Sequence, residues 1–348
     1  MTILEMLGLV VQMDASDLHL LSDVTPMLRI HGQLVPVPDA SPVPADQMEG
    51  YLAELLSPEQ RELLHVNKET DFSYQLGEFG RFRINLYFEK GKLAGAFRLI
   101  PTRIKTIEEL GLPSIVRDFT TLKQGLVLVT GPTGHGKSST IAAILDEINR
   151  TRAEHILTIE DPIEFIYGSG QSIVSQRELH ADTHAWEIAL RSALREDPNV
   201  VLVGEMRDFE TIAAALTVAE TGHLVFATLH TNSASQTIDR VIDVFPAAQQ
   251  AQVRSQLSLV LQAVFSQRLV PSTSGGRAVV AEVLIATPAV RNLVREGKTF
   301  QLDNVIQTSA EFGMMTLEAS LSARVAEGLI TPETAREYAN RLEGLVGV

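Results

Sequence analysis

The chain has no cysteine among its 348 residues. Disulfides and cysteine-ligated zinc are therefore excluded. Positive charge is also scarce, with 29 Lys and Arg against 43 Asp and Glu and a net charge of −14. That balance argues against a broad electrostatic grip on phosphate backbones, so no nucleic-acid partner is expected. No apolar run reaches the about 20 residues that a membrane-spanning helix needs. Met1-Thr2-Ile3-Leu4-Glu5 opens without the basic and apolar regions of a signal peptide. A cytoplasmic protein is expected, where nucleoside triphosphates are plentiful. The length suggests two domains, at roughly 100–200 residues each.

What the chain does have is concentrated in one stretch. Leu126-Val127-Leu128-Val129-Thr130 is an apolar run that feeds Gly131-Pro132-Thr133-Gly134-His135-Gly136-Lys137-Ser138-Ser139. Beyond it Ile141, Ile144, Leu145 and Ile148 recur at helical spacing. This is the G-x-x-x-x-G-K-[ST] pattern between a strand and a helix, the context that confirms it. The glycines let successive backbone N–H groups turn inward on an anion, and the helix adds about half a positive charge at the same point. Lys137 is placed to reach β- and γ-phosphate oxygens, and Ser138 to ligate Mg²⁺. ATP and Mg²⁺ are the expected ligands.

Residues 1–100 read as a small α+β domain: a short strand at Asp17-Leu18-His19-Leu20, a hairpin over 26–37 broken at His31-Gly32, and a helix through Met48, Leu52, Leu55 and Leu56. A second helix starts at Ser57-Pro58, an N-cap followed by proline. Strands at 70–76, 80–88 and 93–100 form a meander. The middle one sets Phe82, Ile84, Leu86 and Phe88 on one face and Arg81, Arg83, Asn85 and Tyr87 on the other, with Arg98 on the next strand. On pattern alone those arginines form a solvated face. Residues 101–124 read as a linker with one short helix at 114–119. From 125 to 348 strands at 126–130, 156–160, 200–203 and 224–229 alternate with helices at 137–149, 184–195 and 209–221. The expected class is α/β with a mostly parallel sheet covered on both sides. From Ser235 the pattern turns helical almost to the end, with one strand-like insert at 278–284.

Ligands of such sheets bind beyond the carboxyl ends of the strands. Glu160 and Glu205 each follow an apolar strand and can hold metal-bound water or orient the attacking one. Asp208 fits an N-cap equally well. The strand 224–229 is bracketed by His223 and His230, and a histidine at a strand end can bond a γ-phosphate and report its loss to the next helix.

Several longer motifs then coincide. Thr158-Ile159-Glu160-Asp161-Pro162-Ile163-Glu164-Phe165 resembles the aspartate box of secretion and pilus ATPases. Gly204-Glu205-Met206-Arg207-Asp208 resembles their Walker B motif, which ends in glutamate. Thr221-Gly222-His223-Leu224-Val225-Phe226-Ala227-Thr228-Leu229-His230-Thr231 resembles their histidine box, and Arg191-Ser192-Ala193-Leu194-Arg195-Glu196-Asp197-Pro198 also matches. The likeness runs from Ala15 to near the C-terminus. It implies a RecA-like ATPase core behind a PAS-like N-terminal domain, assembled as a hexameric ring with nucleotide between the two domains. It further implies that Arg81, Arg83 and Arg98 bring positive charge to the γ-phosphate, reversing the solvated-face reading.

Pro288-Ala289-Val290-Arg291-Asn292-Leu293-Val294-Arg295-Glu296-Gly297-Lys298 is similar to the C-terminal signature of the type IV pilus retraction branch. Without that likeness it reads as a charged helix surface. Extension and type II secretion motors usually carry a four-cysteine zinc insertion, which this chain cannot hold. The resemblance implies a motor for pilus retraction and twitching motility, at the inner face of the cytoplasmic membrane through an inner-membrane platform protein. The alternatives are a pilus-extension or type II secretion motor, or an ATP-sensing accessory subunit. Two departures stand out: His135 replaces a common serine, and Ser139 a threonine.

Overall fold

A computed structural model describes residues 1–30, 32–77, 80–100 and 103–347. The chain divides into two compact units, Met1–Arg103 with Pro162–Ile166, and Ile104–Asp161 with Tyr167–Val348. The break expected at His31 and the start of the linker at Pro101 lie outside the described residues.

The first unit opens with a helix that the sequence reading did not anticipate, α1 (Ile3–Gln12). Thr2 and Glu5 close a capping box at its start, and Ile3, Met6, Leu7 and Val10 bury one stripe. Strands β1 (Asp17–Leu21), β2 (Met27–Ile30) and β3 (Gln33–Pro36) follow. The next helix, α2 (Met48–Leu52), gives way to a 3₁₀ turn at Ala53–Leu55 instead of running on to Leu56. Ser57 and Gln60 form a second capping box on α3 (Pro58–Asn67). With β4 (Glu69–Leu76), β5 (Gly80–Glu89) and β6 (Lys92–Ile100), the strands make one antiparallel sheet ordered β3-β2-β1-β6-β5-β4. Phe82, Ile84 and Leu86 are fully buried, while Arg81, Arg83, Asn85 and Tyr87 point to the other, half-exposed face.

In the second unit, the stretch expected as a linker sends apolar side chains into the core. Ile107, Leu112, Val116 and Phe119, the last two on α4 (Ile115–Phe119), pack with Val127, Val129 and Ile144. Then come β7 (Gly125–Thr130), α5 (Lys137–Thr151), β8 (His155–Glu160), β9 (Ile173–Glu178), α6 (Trp186–Ala193) and β10 (Val200–Val203). They are followed by α7 (Phe209–Glu220), β11 (Leu224–Leu229), α8 (Ala234–Asp243) and α9 (Ala247–Val260). The sheet runs β13-β12-β7-β11-β10-β8-β9, where β12 is Leu261–Pro271 and β13 is Arg277–Ile285. All neighbours are parallel except the β12–β13 pair. This is the strand order of a RecA-like core, with apolar clusters covering both faces.

Strand β12 corrects the expectation of helix after Ser235. Leu261, Ala263, Val264 and Phe265 are all buried, so neither face is polar and no two-residue alternation marks the strand. Strand β9 escaped notice for the opposite reason, having few apolar residues to reveal it. The chain ends in α10 (Pro288–Glu296), α11 (Leu302–Thr308), α12 (Leu317–Ala326) and α13 (Pro332–Tyr338). Among the described residues no helix is long and apolar enough to cross a membrane.

Arg291, in the charged segment on α10, is a brace. Its guanidinium donates to the carbonyls of Ser258 (2.9 Å) and Leu259 (2.7 Å) in the last turn of α9, to that of Ala286 (2.9 Å), and to Gln262 Oε1 (3.2 Å). Carbonyls at a helix end lack intrahelical partners, and a cation there suits the dipole. Burial lowers the Arg291 pKa from its ordinary value. Arg295 and Lys298 instead bond the exposed Asn292 and Glu296. Arg291→Met is expected to cost about 1–3 kcal/mol by orphaning these acceptors, seen as a calorimetric midpoint several degrees lower. An unchanged midpoint would contradict the bracing role.

Candidate active site

The loop between β7 and α5 is shaped by contact as well as by turn geometry. A Cβ at Gly131 would fall 2.2 Å from the carbonyl oxygen of Gln267, so only glycine fits there. Gly136 caps α5 from the left-handed region at φ 82, and no side chain caps that helix. By contrast α8, α10, α12 and α13 each have a Ser or Thr cap. The first N–H groups of α5 are thus left to an anion. Ser138 and Ser139 sit half-buried on its first turn.

Lys137 is buried, and its Nζ donates to the carbonyls of Gly131 (2.9 Å) and Pro132 (3.0 Å). The same Nζ lies 3.4 Å from His230 Nδ1, and Thr133 Oγ1 lies 3.3 Å from that nitrogen. On the other side of the ring, His230 Nε2 is 2.8 Å from Glu205 Oε1. With Nε2 carrying the proton toward the carboxylate, Nδ1 is free to accept from Lys137. Arg207 completes the chain, with Nη2 2.7 Å from Glu205 Oε2. Burial by itself would raise the Glu205 carboxyl, but the bond from Arg207, with the charge of that guanidinium and the bond from His230, holds it below the ordinary carboxylate range.

Glu160 ends the neighbouring strand. Gly204 N donates to Ile159 O at 2.8 Å, which sets Glu160 and Glu205 at adjacent strand ends. The Glu160 carboxylate is buried and accepts from Thr158 Oγ1 (2.7 Å) and Gln176 Nε2 (3.3 Å).

A cradle for phosphates facing two carboxylates and a histidine has close counterparts. The family model described as "Type II/IV secretion system protein" matches residues 113–337. The type IV pilus retractation ATPase PilT of Pseudomonas aeruginosa is 49% identical over 97% of this chain and 98% of its own. The chain belongs to the type II/IV secretion system protein family. A twitching motility protein of Neisseria gonorrhoeae is likewise 49% identical, over 92% of this chain and 86% of its own. Among solved structures, the pilus retraction motor PilT with bound ADP matches at TM-score 0.92 and 44% identity, covering 99% of both chains. The protein is a secretion-family ATPase with a RecA-like core.

Within this family member the strand order explains which residues meet. Strand β11 lies between β7 and β10, so His230, at its carboxyl end, falls between the Lys137 loop and Glu205. His223 requires a correction. It precedes β11, and a strand's two ends lie on opposite sides of a parallel sheet. Its Nδ1 faces Thr221 Oγ1 (3.0 Å) and Val218 O (3.1 Å) at the end of α7, away from this chain's loop. Asp208 caps α7, accepting from Thr211 N at 2.8 Å.

In the first unit, Arg83 and Arg98 stand directly opposite each other on β5 and β6. Arg98 pairs with Asp17 (2.8 Å), Arg83 with Asp71 (2.6 Å), and Arg81 bonds Ser73 Oγ (2.5 Å). Burial works against the charge on Asp17, yet Arg98 and Ser16 bonds bring its pKa below the ordinary value. The sequence reading assigned no role to Arg207, though it lies inside a quoted motif, or to Thr158 and Gln176. No local pattern marks a hydroxyl or amide that acts through a carboxylate.

Removing Arg207 tests the charge balance. In Arg207→Met the Glu205 carboxyl rises toward its ordinary value, so the acid limb of the ATPase pH profile is expected to move to higher pH. The shift stays small because Arg207 is exposed to solvent. A limb moving to lower pH would be inconsistent with this arrangement.

Proposed function

We propose that this ATPase powers type IV pilus retraction, and that the Lys137–His230–Glu205 chain carries its nucleotide chemistry. The relatives named for pilus retraction and twitching motility support the process. The bridging position of His230 supports the chemistry. Lys137 Nζ already bonds two loop carbonyls and the His230 ring, and a γ-phosphate oxygen would compete with these acceptors for its charge. The loop amides at Gly131, Thr133, Gly134, His135 and Gly136 would surround the β-phosphate, and Pro132, which has no N–H, would only shape the turn. His230 would read the γ-phosphate through the Lys137 ammonium from which its Nδ1 accepts, and pass its loss to Glu205 and Arg207.

Ser138 and the ionised Glu205 are hard oxygen donors, and few of them, which suits Mg²⁺ bound mainly by waters and phosphate oxygens. The ion would neutralise charge developing on the transferred phosphoryl group. Glu160 would take the proton of the attacking water as the bond from γ-phosphorus to the β–γ bridging oxygen breaks. Arg81, Arg83 and Arg98 are the proposed further source of positive charge for the γ-phosphate. A homo-hexamer acting through an inner-membrane platform protein, at the inner face of the cytoplasmic membrane, completes the proposal.

Lys137→Ala and Glu205→Gln are each expected to lower phosphate release by roughly 10²–10³-fold, the scale of one transition-state contact. Chelation of Mg²⁺ should abolish it. Near-normal turnover in both variants would refute the assignment. Cells lacking the protein should carry many pili and fail to twitch, whereas bald cells would point to extension.

A further inference from the structure

Strand β12 outruns the strand beside it. Its last pair with β7 is Ser266 with Thr130, yet it continues to Pro271, paired there with β13 alone. From Gln267 onward the edge on the β7 side has no strand to satisfy it. Backbone groups along such an edge need partners.

The nucleotide loop supplies them. Leu269 N–H donates to Nδ1 of His135 at 3.0 Å. Gln267 Nε2 donates to the His135 carbonyl at 2.7 Å, and Gln267 Oε1 accepts from Thr140 Oγ1 at 2.7 Å. Arg277, on β13, donates to the Gly134 carbonyl at 2.9 Å. The His135 ring therefore stands where the next strand's carbonyl would have stood. For Nδ1 to accept, the ring must be neutral with its proton on Nε2. The surroundings favour that form: burial, then Arg277 of β13, Lys137 of α5 and Arg268 of β12, all disfavour the imidazolium.

We propose that His135 is a positioning residue for the nucleotide, holding the Gly134–Lys137 turn against β12 through its bond to the Leu269 amide. A side chain without an acceptor at that reach leaves the Leu269 N–H unpaired and the turn tied by Gln267 and Arg277 alone. The loop's N–H groups then spend less time converged on phosphate. His135 touches no reacting atom in this scheme; it acts on affinity through the backbone. The inference rests on the loop being the triphosphate site.

The test uses full-length protein with His135→Ala and His135→Asn. Asparagine places Oδ1 two bonds from Cβ, as Nδ1 is in histidine, and accepts a hydrogen bond without titrating. In His135→Ala, hydrogen exchange at the Leu269 amide should quicken. KM for Mg-ATP should rise roughly 2- to 12-fold, the effect of one hydrogen bond, and by more than kcat falls. In His135→Asn both should return toward native values. An active His135→Ala enzyme with native KM, an Asn variant that rescues neither readout, or a loss in kcat with unchanged KM would each overturn the positioning role. Native protein that neither binds nor cleaves ATP would overturn the triphosphate reading along with it, a result distinguishable from the other three.

Discussion

A parallel sheet buried on both faces leaves polar chemistry nowhere to go but the ends of its strands. Strands β7, β10 and β11 are buried along their whole length, so every group able to act on a phosphate is pushed to the turn that follows each strand. The carboxyl edge collects Lys137, Glu160, Glu205 and His230 for this reason. The apolar cores above and below the sheet thus define the reactive edge by exclusion.

Within that edge the groups are held by a balance of charge. A buried ammonium is costly unless it is bonded, and Lys137 meets that demand with two loop carbonyls and the acceptor face of His230. Glu205 resists the protonation that burial favours because Arg207 and His230 stand on it from two sides. The same histidine touches both ends of this arrangement, Lys137 on one side and Glu205 on the other. The brace at the far side of the loop is of another kind. There β12, extended past its neighbour, offers an unsatisfied edge, and the loop is fastened to it by His135, Gln267 and Arg277.

Much of the site was legible in the sequence because its signals are local. The glycine spacing before Lys137, the apolar run ahead of it and the acidic residue after each strand occupy consecutive positions, where turn and helix rules apply directly. The alternation along β5 was legible too, since one face of that sheet is apolar and the other carries Arg81 and Arg83. Strand β12 was not legible, because burial on both faces erases the period that separates strand from helix. The 101–124 stretch hid its role for a related reason: its apolar residues are too sparse to show a period, and their burial depends on the sheet that folds over them.

Sequence alone determined that a glycine-rich turn joins a buried strand to a helix, where it lies along the chain, and which carboxylates follow strands. Which of those residues meet was decided only in three dimensions. His223 and His230 look equivalent on either side of one strand, and strand order with parallel direction sends one to the reactive edge and the other to the opposite edge. His135 looks like a neutral replacement in the loop, and only the overhang of β12 gives its ring a partner. Local rules reach about one turn of chain; adjacency between strands is set by how the whole sheet buries its faces.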